Sequence, residues 1–285
     1  MLDDPPSQSC PALSRRVNSI PMKLVIVATV LLFCLPVFAQ DWAKQALDKS
    51  PRHQEWVTVK HGNRVVHAFI VYPEVKQKAD AVVVIHEIFG LTEWARSVAD
   101  QLAAAGYIAI APDLLSGAAQ NGGKSSDFPS VDAAREAVSK LDSDAITADL
   151  DAVTDYVKKL PAANGKVAVA GFCWGGGQSF RFATHRRDLS AAFVFYGPPP
   201  ETVTAITAPV YGFYAGNDAR ITATVPATIE AMKTAHKQFE PVTYEGAGHG
   251  FMRTGEDPTN TVSVDANKKA RAEAWQRWLA LLKSM

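Results

Sequence analysis

Three short apolar runs limit what this chain can fold into: AVVVI at 81–85, YIAIA at 107–111 and KVAVA at 166–170. A strand wetted on one face alternates polar with apolar residues. A strand buried on both faces does not alternate, and such strands belong to parallel sheets covered on each side by crossover helices. Helical spacing follows each run. It covers 93–105 up to Gly106, 131–160 in two pieces, and 174–186. Further strands are expected at 191–195, 209–215 and 240–244, with helices at 225–237 and 265–283. Ahead of them, 55–60 and 64–72 alternate like two strands turned at Gly62-Asn63. The pattern predicts an α/β fold, a mostly parallel sheet with helices on both faces, as one domain over 55–285 behind a lead-in at 40–54. No internal repeat, heptad pattern or long linker divides it. Such sheets bind ligands beyond the carboxyl ends of their strands, so chemistry is expected just after residues 85, 170, 215 and 244.

Residues 1–39 read as a signal peptide rather than as part of the fold. Lys23 is a short basic region, 24–35 is continuously apolar, Pro36 follows, and Val37 and Ala39 occupy the −3 and −1 positions of a cleavage site. The stretch from Lys23 to Ala39 is short for a span of roughly 20 apolar residues. Cleavage is expected after Ala39, giving a secreted or periplasmic protein with no stable membrane insertion. Met22 is an alternative start, which would make 1–21 a non-native extension. Cleavage would remove Cys10 and Cys34 and leave Cys173 as the one cysteine, unable to form an internal disulfide. Twenty-nine basic residues balance twenty-nine acidic ones, so the basic field of a nucleic-acid binder is missing.

The run 166–170 leads into Gly171-Phe172-Cys173-Trp174-Gly175, a G-x-S-x-G nucleophile elbow with cysteine for serine. The glycines allow a sharp turn, and the cysteine then stands at a helix N-terminus, where unpaired N–H groups favour negative charge. A nucleophile there needs a base, and the base an orienting carboxylate. Asp218 follows the strand at 209–215 within Gly216-Asn217-Asp218, and His249 follows 240–244 within Gly248-His249-Gly250. Cys173, Asp218 and His249 are therefore the candidate catalytic triad, in the chain order this motif requires. Two other patterns fail. His86-Glu87 would need histidine at position 90 for a zinc site, where Gly90 stands, and the Gly122-Gly123-Lys124-Ser125 stretch lacks the leading strand and first glycine of a phosphate loop. The region 116–130 is expected to be a flexible polar loop. No metal or cofactor is expected.

The segment HEIFGLTEWARSVADQLAAAGYIAIAPDLLS at 86–116, GFCWGG at 171–176 and GHGFMR at 248–253 resemble the dienelactone hydrolase family, over about 55–283. The resemblance implies a single-domain α/β-hydrolase fold without a large lid and without a cofactor. It implies Cys173 as nucleophile, Asp218 as acid and His249 as base. It further implies Glu87 as a carboxylate that contacts the nucleophile and takes part in forming the thiolate. Backbone N–H groups of Ile88 and Trp174 would form the oxyanion hole. Arg253 would grip a substrate carboxylate, with Arg135 as the candidate second arginine. The partner would be a small-molecule ester or lactone, and the protein a monomer. Alternatives on the same residues are a general carboxylesterase or small peptidase, a thiol redox protein using Cys173, and a non-catalytic binding module.

Overall fold

The computed structural model describes residues 40–285. The expected signal peptide and the alternative start at Met22 lie outside the described residues. The chain opens with α1 (Asp41–Asp48), then the hairpin β1 (Gln54–His61) and β2 (Arg64–Val71), turned at Gly62 with φ +50°. There follow β3 (Ala79–Ile85), α2 (Glu93–Ala104), β4 (Ile108–Pro112), α3 (Val131–Ser139) and α4 (Ser143–Lys158). Next come β5 (Ala163–Phe172), α5 (Trp174–His185), β6 (Ala191–Phe195), β7 (Val210–Ala215) and the short α6 (Ala219–Thr222). The last elements are α7 (Val225–Thr234), β8 (Phe239–Tyr244), the short α8 (Phe251–Thr254) and α9 (Val264–Lys283).

The eight strands form one sheet in the order β1-β2-β4-β3-β5-β6-β7-β8. β1–β2 and β2–β4 are antiparallel and the remaining pairs are parallel. The apolar runs explain the layering, because successive side chains of one strand enter opposite faces. Val82 and Val84 join Trp94, Val98, Leu102 and Trp278 on one face. Val83 and Ile85 join Ile146, Leu150, Val153 and Phe180 on the other. Helices α1, α2 and α9 thus cover one side, and α4 and α5 the other. Among the described residues, no helix lies in the β6–β7 connection, 196–209. None is long and apolar enough to cross a membrane.

Local signals set most boundaries. Thr92, Ser130 and Asp142 each accept backbone N–H bonds at the starts of α2, α3 and α4, as short polar side chains do at helix N-caps. Asp142 is what divides the 131–160 helical stretch in two. β5 runs past 166–170 at both ends. Ala163 pairs with Ala79, and Gly171 and Phe172 pair with Val194 and Phe195, so the elbow is fed by a strand held on both sides.

Two segments carry more structure than their sequence suggests. The lead-in 40–54 contains α1, whose Ala43 and Leu47 are buried. Residues 116–130 are not simply a flexible loop. They hold two 3-10 turns, Gln120–Gly122 and Ser125–Asp127. The buried carboxylate of Asp113 accepts from Ser125 N and from Ser125 Oγ, at 2.9 and 2.6 Å. Ser125 Oγ in turn accepts from Leu91 N at 2.9 Å. That chain fastens the segment to the turn that follows β3.

Candidate active site

Cys173 occupies the turn between β5 and α5 with φ +56° and ψ −117°, a conformation that a non-glycine residue adopts only under strain. It persists because the neighbourhood dictates it. Cys173 N donates to Phe195 O at 3.0 Å, and Gly177 N donates to Cys173 O at 3.2 Å. The flanking glycines are needed for close approach. A Cβ on Gly171 would overlap the Gly175 carbonyl, and one on Gly175 would overlap the carbonyls of Ile85 and His86. The thiol is partly exposed above the sheet.

The other two triad candidates are brought to it. His249 Nε2 lies 3.0 Å from Cys173 Sγ, and His249 Nδ1 lies 2.5 Å from Asp218 Oδ2. A carboxylate oxygen accepts, so Nδ1 carries a proton and Nε2 faces the sulfur. Burial opposes charge on this imidazole. Hydrogen bonds to Cys173 and Asp218 outweigh it and push the His249 pKa up to about 9. The two loops that carry Asp218 and His249 are tied together. Asn217 N donates to Ala247 O at 2.8 Å, and Asn217 Nδ2 donates to Gly246 O at 3.0 Å. Asn267 on α9 accepts from Gly248 N at 2.9 Å. The terminal helix therefore helps to set the height of the His249 loop.

Glu87, directly beyond β3, is 3% exposed, and its Oε2 accepts from Arg253 Nε at 2.7 Å. Its hydrogen-bond partner is thus Arg253 and not the sulfur. Arg253 lies on α8 over the Phe89 ring, and its Nη nitrogens have no protein acceptor among the described residues. Ile88 N and Trp174 N likewise donate to no group among the described residues, and Trp174 opens α5, where the first N–H groups have no helical acceptor. Arg135 is exposed on α3, and no hydrogen bond or ion pair joins it to any site residue. The site thus collects Cys173, His249, Asp218, Glu87, Ile88, Trp174 and Arg253 at one sheet edge, without Arg135.

Tyr196 was missed. It follows β6 at the same edge with φ +41°, is fully buried, and sets its ring edge-on to His249 at 5.1 Å. Applying the strand-end rule to residue 195 as well would have found it. Its hydroxyl has no partner among the described residues. Among those residues no cluster of three or more His, Cys, Asp or Glu side chains could hold a metal ion.

Comparison with known proteins gives this geometry a context. The profile described as "Dienelactone hydrolase family" matches residues 66–285. A provisionally assigned carboxymethylenebutenolidase of Escherichia coli (strain K12) is 30% identical over 216 residues, 71% of this chain and 76% of that protein. Another, from Methylorubrum extorquens, is 31% identical over 243 residues, 79% of this chain and 82% of its own. A provisionally assigned dienelactone hydrolase from Klebsiella pneumoniae subsp. pneumoniae, solved as a crystal structure, superposes with a TM-score of 0.70 at 26% identity. It covers 82% of this chain and 99% of its own.

Proposed function

The chain belongs to the dienelactone hydrolase family, and from that premise we propose that it is an exported, cysteine-dependent hydrolase of small esters and lactones. The observation that carries the mechanism is the hydrogen-bonded series Cys173–His249–Asp218 at the carboxyl edge of the parallel sheet. His249 Nε2 takes the thiol proton as the Cys173 sulfur attacks the substrate carbonyl carbon, and the π pair moves onto oxygen. Ile88 N–H and Trp174 N–H receive that oxyanion. Such donors are worth roughly 3–4 kcal/mol each in the transition state. Collapse expels the alkoxide or enolate, which takes the Nε2 proton of His249 and leaves a thioester on Cys173. Water then gives a proton to His249 and attacks the thioester, and the thiolate departs as the carboxylic acid is released. In lactone opening the leaving oxygen stays on the product, and an enol that tautomerises to a ketone prevents reclosure.

Arg253 supports a substrate bearing a carboxylate. Its Nη pair has no acceptor among the described residues while Nε holds Glu87, and a guanidinium edge matches a carboxylate through charge-assisted hydrogen bonds. Export is proposed from the basic, apolar and V-x-A sequence at 23–39.

The test is hydrolysis of a panel of lactones and short esters, with and without a carboxylate. Cys173→Ala should stay folded and lose essentially all turnover; most activity surviving in that variant would remove Cys173 as nucleophile. Arg253→Lys keeps a cation beside Glu87 but loses the planar fork. It should cost roughly 10- to 150-fold on carboxylated lactones, the worth of one charge-assisted hydrogen bond, and little on neutral esters. Equal losses on both substrate classes would return the protein to the general carboxylesterase reading.

A further inference from the structure

His86, the first residue after β3, is fully buried and has no place in the reaction described above. Its Nδ1 lies 2.7 Å from the backbone oxygen of Glu87. A carbonyl can only accept, so Nδ1 is the donor and the neutral ring carries its lone pair on Nε2. Nε2 has no partner among the described residues. Burial lowers the pKa of this imidazole, which keeps it neutral. The carbonyl it holds belongs to the Glu87–Ile88 peptide. That same planar unit carries the free Ile88 N–H on its opposite side, because C=O and N–H of a trans peptide point in opposite directions. Gly90 N also donates to the Glu87 carbonyl, at 3.3 Å. The imidazole stacks on the Trp174 ring at 5.5 Å and 15°, and Trp174 supplies the second free N–H.

We propose that His86 is a positioning residue for the oxyanion hole: its Nδ1–H pins and polarises the Glu87–Ile88 peptide so that Ile88 N–H faces the developing oxyanion. A hydrogen bond accepted at a peptide oxygen strengthens the donor at the same peptide's nitrogen. The buried ring does this without introducing a charge beside Glu87, and its stacking on Trp174 couples the two donors. This inference rests on Cys173 being the nucleophile.

The test compares His86→Asn, His86→Gln and His86→Leu in the full enzyme. The Asn amide overlays Nδ1 and retains the donor. The Gln amide reaches only the Nε2 position, and Leu retains bulk alone. Three quantities are read: kcat on a lactone, inhibition by a short aliphatic aldehyde, and the rate of Cys173 alkylation by iodoacetamide. The aldehyde adds to the thiolate and leaves a tetrahedral oxyanion. Iodoacetamide is attacked at saturated carbon, expels iodide and develops no oxyanion. His86→Leu and His86→Gln should lose roughly 10- to 100-fold in both kcat and aldehyde affinity, less than full loss of a donor. Their alkylation rate should stay within about twofold, and His86→Asn should recover most of the loss. If Leu does not fold, the Asn–Gln contrast decides alone. Equal kcat for Asn and Gln, or alkylation falling in step with turnover, would overturn the proposal. Alkylated wild-type enzyme that still hydrolyses lactones would instead overturn the nucleophile on which it rests.

Discussion

His249 sets the pH behaviour of the site. With its pKa pushed up to about 9 by hydrogen bonds that outweigh burial, the imidazolium persists through neutral pH. The sign follows. The folded value lies above the unfolded one of about 6.5, so the stabilisation it gives is complete below about pH 6.5 and is lost as pH rises through about 9. Lactone turnover should therefore show an alkaline limb near pH 9. Asp218→Asn removes a hydrogen-bonded charge from Nδ1, so that limb should move to lower pH and kcat should fall by on the order of 10²-fold or more. A pH–rate profile of wild type and variant checks both, and an unmoved limb would assign it to another group. The residue scale is also where the sequence was most legible. Cys173, Asp218 and His249 each follow a recognisable strand end among glycines, and each signal lies within about six residues. The partner of Glu87 was not legible, because Arg253 lies 166 positions away along the chain. Arg135 illustrates the converse. It stands near the expected place in sequence, yet it falls on the exposed side of α3.

At the scale of elements, the elbow depends on what lies beneath it. Trp278 of α9 is fully buried against Phe172, Phe193 and Phe195. Phe172 immediately precedes Cys173, so the last helix supports the turn from below while Asn267 holds the His249 loop from the side. Trp278→Ala should cost about 3–5 kcal/mol of unfolding free energy, read by urea or thermal denaturation, since a large cavity opens in a close-packed layer. Loss of less than about 1 kcal/mol would mean that the layer collapses without penalty. Most elements were readable because period and punctuation agree, as at Thr92, Ser130 and Asp142. Helix α1 escaped because its eight residues make only about two turns, too short a window for the i, i+4 pair Ala43 and Leu47 to stand out as a period. The fastening of 116–130 escaped because a Gly/Ser-rich composition is the same for a free loop and for one held by a buried aspartate; Asp113 decides between them.

At the scale of the whole molecule, export predicts that the protein recovered from its native cell envelope begins at Gln40, as read by mass spectrometry of its N-terminal peptide. Recovery of residues 1–39 intact on a cytoplasmic protein would reject the signal-peptide reading. The layered architecture followed from the sequence alone, because a strand's burial on one or both faces is written in its own alternation, and the helix faces in theirs. The placement of Cys173, Asp218 and His249 just beyond their strand ends followed too, since each needs only a strand, a turn and glycines close by in the chain. Only the tertiary structure decided that Arg253 holds Glu87, that Tyr196 lies edge-on to His249, that Arg135 stays outside, and that His86 grips the peptide carrying Ile88 N–H. The reason is physical. Sequence period and turn chemistry determine where a residue sits on its own element, whereas a side chain's partner is set by the register between elements far apart in the chain.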